Sequence, residues 1–453
     1  MEIFEFGGSQ PQNNNRQPQN VRQRPQQRQA QSGNVRPRQA QNRNAQQRQG
    51  QVRAVQQNRS TQAQAAKKGN KAMRPDMKSF VNFHIPQKFD FTFFMIIVIL
   101  LAFGLVMLFS ASYATAKETY DDSFYFINRQ LIFTVIGFAA MIVLSYIDYH
   151  LYANKFILSV AIITGISLML LVKVMGVTVG GAERWIEIFG IQFQPSEILK
   201  IVTIMVIAEY MQRNYEIRGD FWKGFFPLIL RIGISCLLVI TQPHLSCTVI
   251  ILFTSICMLT IGGTKWRHLA LIAAGIAVGM FLIVKIFPAL GFDYVSARLL
   301  SFENPEADIQ DKTYQTFQSL VTIGSGGMFG LGLGNSRQKY GYLPVTQNDF
   351  IFSVICEELG FVGAVAVILL FVVFLLRGLY IASSAPDKFG MLLCAGIVIH
   401  ITIQALLNIA VVTNAIPNKG ISLPFVSYGG TALIMQLAEM GIVLNISRKA
   451  AMD

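Results

Sequence analysis

FTFFMIIVILLAFGLVMLFSASYA, residues 91–114, contains no charged side chain. Crossing the hydrocarbon core of a bilayer takes about 20 apolar residues in a helix, so this stretch reads as a membrane span. Nine further apolar runs follow at 127–147, 155–174, 195–213, 224–242, 245–263, 269–290, 350–377, 389–415 and 428–446. The expected fold is an all-α integral membrane protein with ten transmembrane helices. Only a short QPH corner separates 224–242 from 245–263, so that pair also reads as one broken element.

The first 88 residues are of another kind. They read like PQNNNRQPQNVRQRPQQRQAQ and carry 16 Lys and Arg against three acids, Glu2, Glu5 and Asp76. The whole net charge of +13 therefore sits in this segment, while residues 89–453 are balanced. With almost no large apolar side chains after Phe6, the segment cannot offset its chain entropy and is expected to be a disordered cytoplasmic tail. It lacks interleaved aromatics for base stacking, so no nucleic-acid partner is expected; anionic membrane lipid, or a solvated tether, fits better. No apolar stretch closely follows Met1, so no cleavable signal peptide is expected. The five cysteines all lie in apolar runs without metal-ligand spacing, and no disulfide is expected.

Orientation follows from Lys and Arg in short loops. With the tail inside, the inner connections 148–154, 214–223, 264–268 and 378–388 carry Arg218, Lys223, Lys265, Arg267 and Lys388, and Arg448 and Lys449 stand near the end. The outer loop 115–126 sets one Lys against Glu118, Asp121 and Asp122, and 416–427 has only Lys419. Both termini are thus expected in the cytoplasm. Segments 175–194 and 291–349 then lie outside. The second contains FENPEADIQDKTYQ (302–315) with Glu303, Glu306, Asp308 and Asp311.

No G-x-x-x-x-G-K-[ST] or G-x-G-x-x-G phosphate loop occurs, although 324–334 is Gly-rich, so no nucleotide is expected. The informative residues are ionisable ones where lipid should reject them. Arg129 opens the second span, Lys285 is placed to snorkel, and Glu209, Glu357, Glu358 and Glu439 lie within spans. In QPSEILK (194–200), Glu197 and Lys200 share a helix face at i and i+3 and are expected to pair, while Pro195 and Ser196 suit a helix N-terminus. Structural roles suffice for these acids. The outer set is different: Glu183, Arg184, Arg298, Glu303, Glu306, Asp308, Asp311, Asp349 and Lys419 project from one side. A solvated charge run explains 303–312 taken alone. Together with basic residues on separate segments it points to a polar cavity at the outer leaflet, suited to a lipid-linked substrate with a charged headgroup. Arg129, Glu183, Arg184, Gln194, Ser196, Lys200, Arg298, Lys419, Ser427, Gly429 and Gly430 form the candidate substrate-binding set, the glycines allowing close backbone approach.

Five blocks carry a resemblance: GGAERWIEIFGIQFQPSEILKI (180–201), FENPEAD with YQTFQSL (302–320), IGSGGMFGLGLGNSRQKYGYLP (323–344), NDFIFSVICEELG (348–360) and IPNKGISLPFVSYGG (416–430). In this order they resemble the SEDS (shape, elongation, division, sporulation) family, over roughly residue 90 to the C-terminus, and GLGNSRQKYGYLP is nearer to its division than its elongation branch. The resemblance implies the ten-helix SEDS fold. It implies a peptidoglycan glycosyltransferase that polymerises lipid II at the outer face of the cytoplasmic membrane, a class B penicillin-binding protein as transpeptidase partner, and other divisome proteins at the septum. It makes Asp308 the essential acid. The chain departs from the pattern at Ile309, Asp311, Val345, Gln347 and His244, and Asp311 becomes a rival acid.

The implied chemistry needs a base near the acceptor hydroxyl, for which Asp308 is the candidate. Arg184, Arg298, Lys419 or a bound Mg²⁺ or Mn²⁺ would neutralise the departing diphosphate, and Asp308 as a metal ligand is the alternative role. The rival activity is a lipid II flippase with Arg129, Glu197, Lys200 and Glu358 lining a headgroup path. The elongation and sporulation branches remain alternatives within the family, and a pure scaffold for the division machinery is a third reading.

Overall fold

The computed structural model describes residues 89–179, 182–188, 191–217, 219–242, 244–289, 302, 313–344, 346–417 and 420–450. The tail 1–88, and with it the expected disorder, lies outside the described residues. So do Arg298, Glu303, Glu306, Asp308, Asp311 and Lys419.

Helix α1 (Phe91–Tyr120) begins where the Asp90 carboxylate accepts the Phe93 N–H at 2.7 Å, satisfying a donor that has no partner within the helix. It ends at Asp121 in the left-handed conformation. Then follow α2 (Tyr125–Tyr146), α3 (Lys155–Met175), α4 (Pro195–Arg213), α5 (Phe226–Ile240), α6 (Leu245–Ile261), α7 (Trp266–Ala289), a short α8 (Tyr314–Ser325), α9 (Ile351–Ser383), α10 (Lys388–Val412) and α11 (Gly430–Lys449). A helix stands at each of the ten predicted spans, and α5 and α6 are separate. Among the described residues, seven helices are long and apolar enough to cross a membrane: α1, α2, α3, α5 with the wide turn Phe221–Phe225 before it, α9, α10 and α11. The apolar stretches of α6 and α7 are shorter, and α4 carries four charged residues, Glu197, Lys200, Glu209 and Arg213.

Burial sorts the helices. In α2 only 17% of the apolar window is covered by protein; in α10 it is 72%. Helix α4 is covered almost all round from Pro195 to Met211, which is why it can hold charge. Helix α2 lies lengthwise on α11, where Gly137 faces Leu437 and Gly441 faces the Met141 backbone; small residues at a crossing let helices approach closely. All five cysteines are free thiols, four of them buried.

Three features depart from the helical expectation. Three strands form a small antiparallel sheet, β1 (Val177–Val179), β2 (Ala182–Ile188) and β3 (Ile191–Phe193), with Val177 opposite Trp185 and Ile186 opposite Phe193. Helix α8 occupies part of the expected outer loop 291–349. Helix α9 is kinked at Gly360 (φ 68°, ψ −167°). The kink frees the Glu357 and Glu358 carbonyls, and the Gly-rich loop supplies their donors: Leu331 N–H to Glu357 O at 2.9 Å and Gly332 N–H to Glu358 O at 3.0 Å. A Cβ on Gly330 would overlap that Glu358 carbonyl oxygen. Gly326, against the Cys356 carbonyl, and Gly330 thus serve backbone-to-backbone packing.

Candidate functional site

The sheet hands the chain to α4, and α4 carries the first half of the site. Gln194 precedes Pro195 at the helix start. Gln194 Nε2 and Ser196 Oγ stand 3.5 and 3.4 Å from His244 Nδ1, at the N-terminus of α6. Burial, with Arg184 and Lys200 nearby, holds His244 well below the ordinary histidine range. Arg184, on β2, keeps a buried Nε with no hydrogen-bond partner among the described residues. One turn into α4, Lys200 Nζ lies 2.9 Å from Glu197 and donates to Gln404 Oε1 at 3.0 Å. Gln404 Nε2 in turn reaches Ser422 O at 3.1 Å. The expected Glu197–Lys200 pair is therefore formed, and it is wired to the loop before α11.

That loop carries the second half. Ser427 Oγ donates to Asn348 O at 2.6 Å and accepts the Leu423 N–H at 2.8 Å, while the Tyr428 N–H reaches Gln347 O at 2.8 Å. Asn408 Nδ2 ties Asp349 O and Ile421 O together, at 2.7 and 2.6 Å. From α2, Gln130 donates to Ser427 O at 3.3 Å and accepts the Gly429 N–H at 3.4 Å. Arg129 lies over the Tyr125 ring at 4.6 Å and hydrogen-bonds Tyr428. Asn414 Nδ2 donates to Phe302 O at 3.3 Å, fastening the start of FENPEAD beside this loop. Thr431 Oγ1 reaches Gln192 O at 3.3 Å, which links α11 to the sheet.

Gln194 and Ser196 thus meet at His244, with Arg184 near by, Lys200 is bonded through Gln404 to the Ser422 loop, and Arg129, Ser427 and Gly429 belong to the contacts of that loop. A Cβ on Gly429 meets only Ala432, at 3.6 Å, whereas one on Gly430 would overlap the Phe133 ring, so Gly430 is explained by packing. Glu183 stands in β2 opposite Thr178, its side chain outside the described set. Lys285 belongs to the backbone of α7, with its side chain likewise outside. The other buried acids have structural partners: Glu209 pairs Arg213 at 2.9 Å, Glu357 accepts from the Ser336 hydroxyl and the Arg337 N–H, Glu358 pairs Lys339 at 3.1 Å, and Glu439 faces His400 at 3.4 Å. Sequence reasoning passed over Gln130, His244, Gln404 and Ser422 as site residues. Gln404 was the visible signal, a lone amide inside ITIQALL.

The fold and these networks define a multi-pass membrane protein whose buried polar residues converge below one set of loops. The chain belongs to the FtsW/RodA/SpoVE family, described as "Cell cycle protein", which matches residues 91–452. It is 38% identical to stage V sporulation protein E of Bacillus subtilis, over 79% of this chain and 97% of that protein. It is 37% identical to the probable peptidoglycan glycosyltransferase FtsW of Geobacter sp. (strain M18), over 80% and 97%, and 37% identical to the protein of that name in B. subtilis, over 80% and 91%. Among solved structures it resembles a chain of a peptidoglycan synthase complex that coordinates polymerisation and crosslinking (TM-score 0.66, 25% identity, 81% and 99% covered). It also resembles the rod shape determining protein RodA of Thermus thermophilus (TM-score 0.58, 25% identity, 81% and 98% covered). The fold is RodA-like.

Proposed function

We propose that the chain is a peptidoglycan glycosyltransferase, polymerising lipid II at the outer face of the cytoplasmic membrane in septal wall synthesis. The observation that carries this reading is the match to relatives so named over four-fifths of the chain. The buried network from Glu197 to Ser422 supports it by supplying cations and donors beneath the loops. The acceptor sugar's 4-hydroxyl attacks the anomeric carbon of the donor. The new C–O bond forms as the bond to diphosphate breaks, and the hydroxyl proton passes to Asp308. One displacement inverts that carbon. Arg184, with its unpartnered Nε, together with Arg298 and Lys419, would receive the leaving diphosphate. Among the described residues no three His, Cys, Asp or Glu side chains converge as metal ligands. A divalent ion at Asp308 is thus tested by adding Mg²⁺ or Mn²⁺ to metal-stripped protein. A class B penicillin-binding protein is the proposed partner, and both termini are proposed to be cytoplasmic.

The division role is the first reading. The 38% identity to a sporulation protein over nearly its whole length keeps that role as the second, and deletion in a sporulating and a non-sporulating host separates them. The activity is tested by supplying labelled lipid II to the protein reconstituted with a transpeptidase partner. Glycan ladders that persist under penicillin and vanish with Asp308→Ala support the polymerase. Movement of lipid II across vesicles without ladders would favour transport.

A further inference from the structure

Deep between α4, α6 and α10 lies a small cavity walled by Ile204 and Ile251 and by the polar Lys200, Thr254, Ser255 and His400. It leaves about 10 Å³ for the centre of a water molecule. Buried water needs about that much room and two to four polar partners. The partners are there. Thr254 Oγ1 and both ring nitrogens of His400 are buried without a hydrogen-bond partner among the described residues. Lys200 spends two of its three N–H groups, on Glu197 and Gln404. The Ser255 hydroxyl donates to Ile251 O at 2.6 Å and keeps an acceptor free. Beyond the cavity, His400 Nδ1 lies 3.4 Å from Glu439 Oε2, which also lacks a hydrogen-bond partner. Leaving so many polar atoms unmatched in one place costs far more than immobilising one water.

We propose that this cavity binds one ordered water bridging Lys200 to His400 and Thr254. The water joins the Glu197–Lys200 ion pair to the His400–Glu439 contact in one network across α4, α6, α10 and α11. His400 and Thr254 then act as positioning residues. They hold the Lys200 ammonium against Gln404, and so hold the Ser422 loop that Gln404 grips. An ammonium free to swing into an empty cavity would loosen that grip. The link to activity rests on the polymerase reading; the water itself does not.

Two measurements decide it. The first is an experimental structure of the full chain in a lipid nanodisc, at a resolution where buried waters are seen. A density peak within hydrogen-bond distance of Lys200 Nζ and of His400 or Thr254 is expected. A dry cavity, or His400 turned to bond Glu439 directly, overturns the proposal. The second compares Thr254→Val, which keeps shape and removes the hydroxyl, with Thr254→Ser, which restores it. Valine should lower kcat/KM for lipid II about fivefold, the worth of about one hydrogen bond, with little change in melting temperature, and serine should recover it. Equal activity in all three, or a loss that only follows melting, contradicts the positioning role. Should the reconstituted wild-type chain form no glycan ladders from lipid II, the polymerase reading falls while the density still decides the water.

Discussion

Two buried lysine–glutamate pairs stand in this membrane domain and are built differently. Lys339 meets Glu358 at 3.1 Å, Gly334 O at 2.6 Å and Ser110 Oγ at 3.4 Å, so each of its N–H groups has an acceptor. Glu358 also accepts from Ser110 at 2.6 and 2.7 Å and from the Ser336 N–H at 3.4 Å. That pair staples α1, the Gly-rich loop and the kink of α9. Lys200, in contrast, has a donor to spare beside a cavity, and its second bond leads through Gln404 to a loop. A saturated pair fixes a fold. A pair whose third donor faces a cavity instead of a protein acceptor is tied through Gln404 to the loop above it.

Breaking the saturated pair should have the largest effect on stability. Lys339→Ala strands Glu358 in a protein interior, which costs about 3–5 kcal/mol; thermal unfolding in detergent should show it, and Glu358→Gln combined with Lys339→Met should recover much of the loss. Next, Gly330→Ala forces a Cβ onto the Glu358 carbonyl at φ 78°. It should cost about 2 kcal/mol by the same melting assay, with surviving protein as active as wild type per folded molecule. Lys200→Met sharpens the contrast: it strands the buried Glu197 and should cost stability on the same scale, about 3–5 kcal/mol, but glycan synthesis per folded molecule falls about 100-fold. If Lys339 and Lys200 variants lost stability and activity in the same proportion, the distinction between staple and site would be wrong.

The smallest effect belongs to a third cluster, away from both pairs. His150 Nδ1 lies 2.7 Å from Asp148 and Nε2 lies 3.2 Å from Asp387, while Lys449 reaches Asp148 at 2.5 Å, clasping three chain segments. Hydrogen bonds to Asp148 and then Asp387 raise His150 from 6.5 to about 9. Burial raises Asp387, but bonds from His150, Tyr149 and the Gly390 N–H outweigh it and bring it from 3.8 to about 2. The histidine's share of stability is therefore complete below pH 6.5 and lost as pH rises through about 9. The aspartate's share is complete above pH 3.8 and lost as pH falls through about 2. Because the side chains are partly exposed, His150 should contribute under about 1 kcal/mol. His150→Gln should flatten the alkaline limb of a melting-temperature profile; an unchanged limb would remove the clasp.

The helices were legible because a lipid-crossing run has no substitute in sequence, and Glu197–Lys200 was legible because its partners are three residues apart. Ser110 and Glu358 meet across 248 positions, and no local pattern announces that. The kink at Gly360 was hidden for a related reason: its freed carbonyls are satisfied by Leu331 and Gly332, on a loop whose glycines resemble a turn in isolation. The sheet was missed because AERWIEI lies beside paired glycines and its strands are only three to seven residues long. Of the candidate site, the cations and carboxamides near α4 and α11 are placed together, while Asp308 lies outside the described residues.

The account depends on FENPEAD opening to the wall side of the membrane. Ala307→Cys, next to Asp308, should react with a membrane-impermeant maleimide added outside intact spheroplasts and be blocked by no cytosolic quencher. Labelling only from the cytosolic face of inverted vesicles would contradict it.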